Sequence, residues 1–156
     1  IVHAAVWLHD LGVFVGQRPE DPEQLARWDN VAYAMEKAPE ALAAAGFPRE
    51  KIDAVVEAIR THQPAARPAT MEGTIVRDAD ILEQLGAIGI LRQACKVGRD
   101  TRFTTFTPAV NSLRKALETL PALIALDSTR RLAQPRISAL RTFLEAVDRE
   151  SGSALY

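Results

Sequence analysis

Apolar residues recur along most of the chain at the three- and four-residue spacing of an amphipathic α-helix. Strand-like alternation is scarce, alanine is abundant, and Gly or Pro residues separate the helical stretches. The clearest case follows Pro48, where Ile52, Val55, Val56 and Ile59 fall at positions i, i+3, i+4 and i+7. The pattern predicts an all-α fold, and this stripe predicts a helix face directed at its core.

In the first half of the chain, the pattern predicts a helix over residues 1–11 and an irregular connection over 13–24. The next helix is expected to extend to about Ala45. Pro39 should break or kink this helix, and Gly46 is well placed to cap its C-terminus.

In the second half, the middle of residues 70–100 is predicted to be helical, and the two glycines of its GAIGI segment should permit close helix packing. A further helix should begin with Thr107 as its N-cap and be interrupted at Pro121. The last helix is predicted to start at Pro135. Its packing face is expected to consist of Ile137, Leu140, Leu144 and Val147.

The opening stretch IVHAAVWLHDLG places two adjacent ionisable residues, His9 and Asp10, at the end of an apolar segment. Burying a polar group without a partner costs about 2–7 kcal/mol, and burying a charge costs more. A hydrogen bond, an ion pair or a metal ion must therefore compensate this pair.

His62 lies three residues after Ile59, which places it on the same inward stripe of its helix. An inward histidine needs a partner, and two interpretations are open. It is either a core histidine hydrogen-bonded to a carbonyl or carboxylate, or a residue of a functional site.

The segment VRDADILEQLGAIGI carries two carboxylates, Asp78 and Asp80, on a predicted helix. Residues two apart on a helix are separated by about 200°, so only one of the two can face a given site. The other is expected to be a surface or capping charge. Periodicity alone does not choose between them, and both could instead be solvated.

Together these residues suggest a metal site, because histidine nitrogen and carboxylate oxygen are suitable ligands for Mn, Fe, Zn, Mg or Ni ions. A bound ion would offset the desolvation of His9 and Asp10, and it would lower the pKa of a bound water. His3 precedes His9 by six residues, about 240° around the helix, so the two cannot easily bind the same ion.

Four basic residues could hold a phosphate, because guanidinium groups bind phosphate oxygens bidentately. They are Arg92, Lys96, Arg99 and Arg102. The first three share one face if their helix continues that far. The alternative is a solvated helix end at which cations favour the helix dipole.

The composition excludes several classes of protein. The 156 residues suit one domain over 1–156, and a net charge of -1 provides no general attraction for nucleic acid or an anionic membrane. Few aromatic residues are available for base stacking, and no apolar run approaches the roughly 20 residues of a membrane span. The single cysteine, Cys95, suits a reducing compartment, so we expect a cytoplasmic protein.

The segments AAVWLHDLG and AIRTHQP, followed by EGTIVRDADILEQLGAIGI, resemble the HD superfamily of metal-dependent phosphohydrolases, in particular its small bacterial stand-alone members. The resemblance covers residues 1–102 and implies an all-α bundle of about five to seven helices. Residues 103–156 carry no family motif, and their helices are expected to provide packing or homo-oligomer contacts.

The resemblance implies that His9, Asp10 and Asp80 hold a divalent metal ion. Asp10 would also orient or deprotonate the attacking water. His62 would lie near the metal or the substrate phosphate, as a second ligand or a proton donor. The implied activity is hydrolysis of a phosphate ester, with a nucleotide as the expected small-molecule substrate.

Two departures from the family pattern bear on this expectation. The upstream metal-binding His of the family has no counterpart, and the chain begins with Ile1 within a predicted helix, so we expect that the N-terminal helix of the family is missing from this sequence. The Lys that often follows HDLG is also absent. The alternative function is therefore a degenerate helical module that binds a nucleotide or a protein partner without catalysis.

Overall fold

A computed structural model describes residues 1–14, 16–99, 103–151 and 155. Across these ranges the chain forms eight α-helices and three short 3-10 turns, with no strand, which confirms the predicted all-α class. Packing divides the chain into two units, residues 1–77 and residues 78–156. The expectation of a single domain stays a prediction, and the two units are described in turn.

The first unit contains four helices and the beginning of a fifth. They are α1 (Val2–Leu8), α2 (Pro22–Arg27), α3 (Asn30–Ala44), α4 (Ile52–Arg60) and α5 (Met71–Glu83). α4 packs against both α1 and α3. Val55 and Ile59 of α4 are fully buried, as the stripe predicts, whereas Ile52 is only partly buried. The remaining core is rich in alanine, which lets the helix backbones approach closely.

α1 and α2 differ from the predicted elements. α1 ends at Leu8, and the residues up to Val13 form a separate 3-10 turn, Leu11–Val13. The stretch predicted to be irregular contains α2, because the side chain of Asp21 accepts a hydrogen bond from the Gln24 backbone N–H at 2.9 Å and Pro22 occupies the first turn. Such short helices raise the number of helices above the predicted range.

α3 runs without interruption through Pro39, so the predicted break is wrong. Ala38 and Leu42, on either side of this proline, are buried in the core. Their packing outweighs the local loss of one backbone hydrogen bond. Gly46 caps the helix as predicted: its φ is +71°, and the Phe47 N–H reaches back to the Leu42 carbonyl at 2.9 Å in a Schellman arrangement.

The second unit contains the end of α5 and three further helices, α6 (Gly86–Ala94), α7 (Phe106–Thr119) and α8 (Asp127–Glu150). α6, α7 and α8 pack against one another around an aliphatic core. Gly86 has φ +74°, and a Cβ added to it would lie 2.9 Å from the Cβ of Arg136 on α8. This close approach confirms the predicted packing role of that glycine.

Two helix starts in the second unit differ from the predictions. The N-cap of α7 is Thr105 rather than Thr107, although the helix ends before Pro121 as predicted. α8 begins at Asp127 and includes Pro135. Pro135 is exposed, and the inward face of α8 still packs into the core, so the proline does not end the helix. The buried residues of the predicted face are Ile137, Leu140 and Leu144, with Val147 packed beside them.

Asp78 is bonded to the backbone that immediately precedes α8. The carboxylate of Asp78, only 1% exposed, accepts hydrogen bonds from the backbone N–H groups of Ala125 at 3.1 Å and Leu126 at 2.8 Å. Charge-assisted bonds of this kind stabilise the start of a helix. Asp78 is therefore the capping carboxylate of the Asp78 and Asp80 pair, and the interpretation that both are solvated is wrong. No helix within the described ranges is long and apolar enough to cross a membrane.

We predict that Asp78→Ala lowers the free energy of unfolding by about 2 kcal/mol, because the N–H groups of Ala125 and Leu126 lose their acceptor. Urea unfolding followed by circular dichroism measures this change. Asp127→Ala is the matched control, since Asp127 is exposed in the first turn of α8 and pairs only at the surface with Arg130. Equal losses in the two variants would contradict the capping role of Asp78.

Candidate metal centre

The His-Asp pair lies where α1 ends. His9 still has helical dihedral angles, and its backbone N–H bonds to the Ala5 carbonyl at 2.9 Å. Asp10 has left the helix, with φ -97° and ψ 14°, and it precedes the Leu11–Val13 turn. Both side chains are partly buried, with 15% of the His9 side chain and 32% of the Asp10 side chain exposed. The pair is therefore accessible to a ligand.

The orientation of the His9 ring is fixed by the backbone of its own helix. Nδ1 lies 2.8 Å from the Val6 carbonyl oxygen. A carbonyl oxygen can only accept, so Nδ1 carries the proton, and Nε2 of the neutral ring holds the lone pair. Nε2 lies 3.6 Å from Oδ2 of Asp10. The ring thus presents its electron-donating nitrogen beside a carboxylate oxygen.

His62 repeats this arrangement at the end of α4. It is buried, with 4% exposure, and its Nδ1 lies 2.6 Å from the Ile59 carbonyl oxygen. This is the carbonyl bond that the core-histidine interpretation predicts, but it also leaves Nε2 as the lone-pair nitrogen. The His62 ring packs edge-on against that of His9, with centroids 4.9 Å apart. His62 thus faces inwards as the stripe predicts, but it lies two residues beyond the end of α4 and not on the helix itself.

His9, Asp10 and His62 form a group that could hold a metal ion, with one ligand atom of each lying within 4.8 Å of the others. Two ligands at a tetrahedral angle around an ion, each about 2.1 Å from it, are about 3.4 Å apart. The 3.6 Å between His9 and Asp10 is close to this value. A backbone carbonyl bonded to the far nitrogen is also the usual partner of a metal-binding histidine. The donor set therefore fits a divalent cation.

The charged residues on the last turn of α4 are already paired. Arg60 donates to both carboxylate oxygens of Glu57 at 2.7 Å, and this hydrogen bond lowers the pKa of Glu57 and raises that of Arg60. The neighbouring Thr61 is buried and donates its hydroxyl hydrogen to the Glu57 carbonyl at 2.9 Å. These contacts hold the end of α4 from which His62 projects.

Asp80 was predicted as a third metal ligand. It lies on α5 in the second unit, and its Oδ2 accepts a hydrogen bond from Gln84 Nε2 at 2.9 Å. His62 is instead the third member of the clustered group in the described ranges. The assignment of Asp80 to the metal stays a prediction.

Three of the basic residues predicted to bind phosphate, Arg92, Lys96 and Arg99, lie within the described ranges, and they do not share one helix. α6 ends at Ala94, so Lys96 and Arg99 lie in the turns that follow it. Arg92 pairs with Glu83, and Lys96 stacks over the ring of Phe103 at 5.7 Å. The expected continuous face is therefore wrong. A further candidate, Arg102, lies outside the described residues, and the role in phosphate binding stays a prediction for all four.

Sequence patterns did not reveal the contact that supports the turn after Asp10. The indole Nε1 of Trp28 donates to the Gly12 carbonyl at 2.7 Å. The partner of Trp28 lies sixteen positions away in an irregular stretch, where neither helical nor strand periodicity links two residues.

Comparisons with known proteins support the fold. No protein-family model and no curated protein matches the chain. Among solved structures, Bacillus subtilis YpgQ, crystallised in complex with ADP, superposes with a TM-score of 0.70 at 23% identity. That match covers 97% of this chain and 76% of YpgQ.

Two further structures have the same fold. A Lactobacillus plantarum protein matches with a TM-score of 0.59 and 20% identity over 98% of this chain and 86% of its own. A Listeria innocua protein matches with a TM-score of 0.58 and 19% identity, over 98% of this chain and 87% of its own. At these identities the likeness establishes a shared all-α fold.

We predict that His62→Gln weakens Mn²⁺ binding by more than about tenfold, since even the loss of a residue that only supports a ligand has an effect of this size. Isothermal titration calorimetry on the metal-stripped chain measures the affinity. His3→Gln is the matched control, because His3 is exposed and contacts Trp7 instead. Unchanged affinity in His62→Gln would rule out His62 as a ligand.

Proposed function

We propose that this protein is a metal-dependent phosphohydrolase of the HD superfamily that uses water to cleave a phosphate ester of a nucleotide. The observation that carries the proposal is the group formed by His9, Asp10 and His62, in which both rings hold their protons on Nδ1 and keep Nε2 for an ion. Two of these residues are the His-Asp pair on which the family resemblance rests.

Two other observations support the substrate class. The LHDLG and DADILEQLGAIGI segments resemble the phosphohydrolase family over the first 102 residues. YpgQ, which has the same fold, was crystallised with ADP. A nucleotide is therefore the first substrate to test, although a fold by itself does not specify the leaving group.

The cofactor we propose is a divalent cation such as Mn, Mg, Fe, Ni or Zn. Mixed imidazole and carboxylate ligands suit all of these ions, and geometry and availability choose among them. When bound, such a cation polarises a phosphate oxygen and lowers the pKa of a water ligand towards neutrality.

The side chains have separable roles in this proposal. The Asp10 carboxylate is the most exposed of the three groups, and it orients the attacking water and accepts its proton. His9 holds the ion through Nε2. His62 does the same, because its Nδ1 is bonded to the Ile59 carbonyl and its other ring nitrogen is left for the ion.

We predict that the chain releases phosphate or pyrophosphate from nucleotides in the presence of Mn²⁺, and that Asp10→Asn lowers kcat by about 100-fold or more. Chromatography of the nucleotide products, over a panel of mono-, di- and triphosphates and simple phosphate esters, measures this. Asp53→Asn is the matched control, since Asp53 is an exposed carboxylate in the first turn of α4. EDTA should abolish turnover, and Mn²⁺ should restore it.

The outcomes separate the two candidate functions. Equal activity in Asp10→Asn and the unaltered chain would place the chemistry away from this group. If the chain binds nucleotides but does not hydrolyse them with any of the five metal ions, the function of a helical binding module is favoured instead.

A further inference from the structure

The turn that follows Asp10 is held against the start of α3 by two separate contacts. On one side, Trp28 Nε1 donates to the Gly12 carbonyl at 2.7 Å. On the other side, the Gly12 Cα faces the backbone of Asn30 so closely that an added Cβ would lie 2.7 Å from the Asn30 carbonyl oxygen. Gly12 is buried between them. The corner from Trp28 to Asn30 therefore clamps the turn.

The corner from Trp28 to Asn30 is itself held by a helix cap. Asp29, between Trp28 and Asn30, caps α3 by accepting hydrogen bonds from the N–H groups of Val31 and Ala32 at 3.0 and 2.9 Å. This cap fixes the direction of the backbone at the corner. The Trp28 indole and the Asn30 carbonyl consequently both face Gly12.

The indole ring of Trp28 is also held in place. It is half-buried and packs against the ring of Tyr33, with centroids 5.2 Å apart. Tyr33 in turn donates its hydroxyl hydrogen to Gln17. Since the ring is restrained on its face and bonded at Nε1, the position of the Gly12 carbonyl is determined by side chains that begin sixteen residues later.

Asp10 belongs to this turn and not to the preceding helix. α1 ends at Leu8, and Asp10 has dihedral angles outside the helical region. Its carbonyl accepts from the Val13 N–H at 2.9 Å, so its backbone belongs to the same turn as Gly12. The direction of the Asp10 carboxylate relative to Nε2 of His9 therefore depends on where the turn is held.

We infer that Trp28 is a positioning residue for the metal group: through the Gly12 carbonyl it sets the placement of the Asp10 carboxylate beside His9. The inference rests on the proposed function, and it assigns Trp28 no contact with the ion or the substrate. Residues outside the ligand set that orient ligands in this way commonly change metal affinity by 10- to 100-fold.

The test is a double-mutant cycle on Mn²⁺ affinity, measured by calorimetry well below the melting temperature. Trp28→Phe keeps the apolar ring and removes the N–H, and it should weaken Mn²⁺ binding by about tenfold. In an Asp10→Asn background, the same substitution should have no further effect, because the group that Trp28 positions is gone. Trp7→Phe is the matched control, since the Trp7 N–H bonds to the exposed His3 and should leave affinity unchanged.

A second variant tests the other side of the clamp. Gly12→Ala places a methyl group against the Asn30 backbone, so it should weaken Mn²⁺ binding in the same way and should also lose its effect beside Asp10→Asn. Circular dichroism of each variant confirms that it remains folded at the temperature of the titration.

The outcomes distinguish the two proposals. If the unaltered chain binds Mn²⁺ and Trp28→Phe binds it equally well, Trp28 has no positioning role. A loss of the same factor in both backgrounds would also overturn the inference, because it would show an effect that does not pass through Asp10. If the unaltered chain binds no Mn²⁺, the proposed function fails and the inference fails with it.

Discussion

The geometry of the candidate metal centre depends on one kind of interaction, the hydrogen bond from a histidine Nδ1 to a carbonyl in the last turn of a helix. The final carbonyls of a helix lack some of their backbone partners, so they are available to side chains. At the end of α1 and again at the end of α4, a histidine three residues beyond the carbonyl makes this bond. Each bond fixes the tautomer, and both rings consequently offer Nε2 to the same small volume.

The hydrophobic core brings these two helix ends together. Ala5 of α1 and the buried face of α4, with Val55 and Ile59, belong to one cluster. Their packing sets the distance between helices whose last turns hold His9 and His62. The polar group is thus positioned by apolar contacts one turn away, and its own hydrogen bonds only orient the rings. Because packing sets the distance and hydrogen bonds set the ring orientation, three polar side chains at the ends of short helices can have a defined geometry.

Helical periodicity predicted this part of the molecule well because the relevant contacts are local. The stripe through Ile59 predicted a buried His62 correctly. α4 nevertheless ends at Arg60, so His62 continues the direction of the stripe from two residues beyond the helix. Periodicity could not separate Asp78 from Asp80, because the answer lies in the N–H groups of residues 125 and 126, beyond the reach of any local pattern.

Two prolines also show where local sequence patterns fail to predict the structure. Pro39 and Pro135 both lie within helices, although local rules predict that each ends or begins one. In each of these helices, apolar residues before and after the proline are buried in the core of that helix's own unit. The free energy of this packing exceeds the cost of one missing backbone hydrogen bond. The Trp28 to Gly12 contact, between two irregular stretches, leaves no periodic signal of any kind.

In the proposed function, the cation also compensates the charge of this group. The one acidic group among His9, Asp10 and His62 is the Asp10 carboxylate, whose formal negative charge repels a phosphate. The nearby Arg60 is engaged by Glu57, and the chain as a whole has a net charge of -1, so no general positive field compensates. A divalent cation changes the local sum from about -1 to about +1. In the proposed function, the ion that activates water is therefore also the group that attracts the substrate.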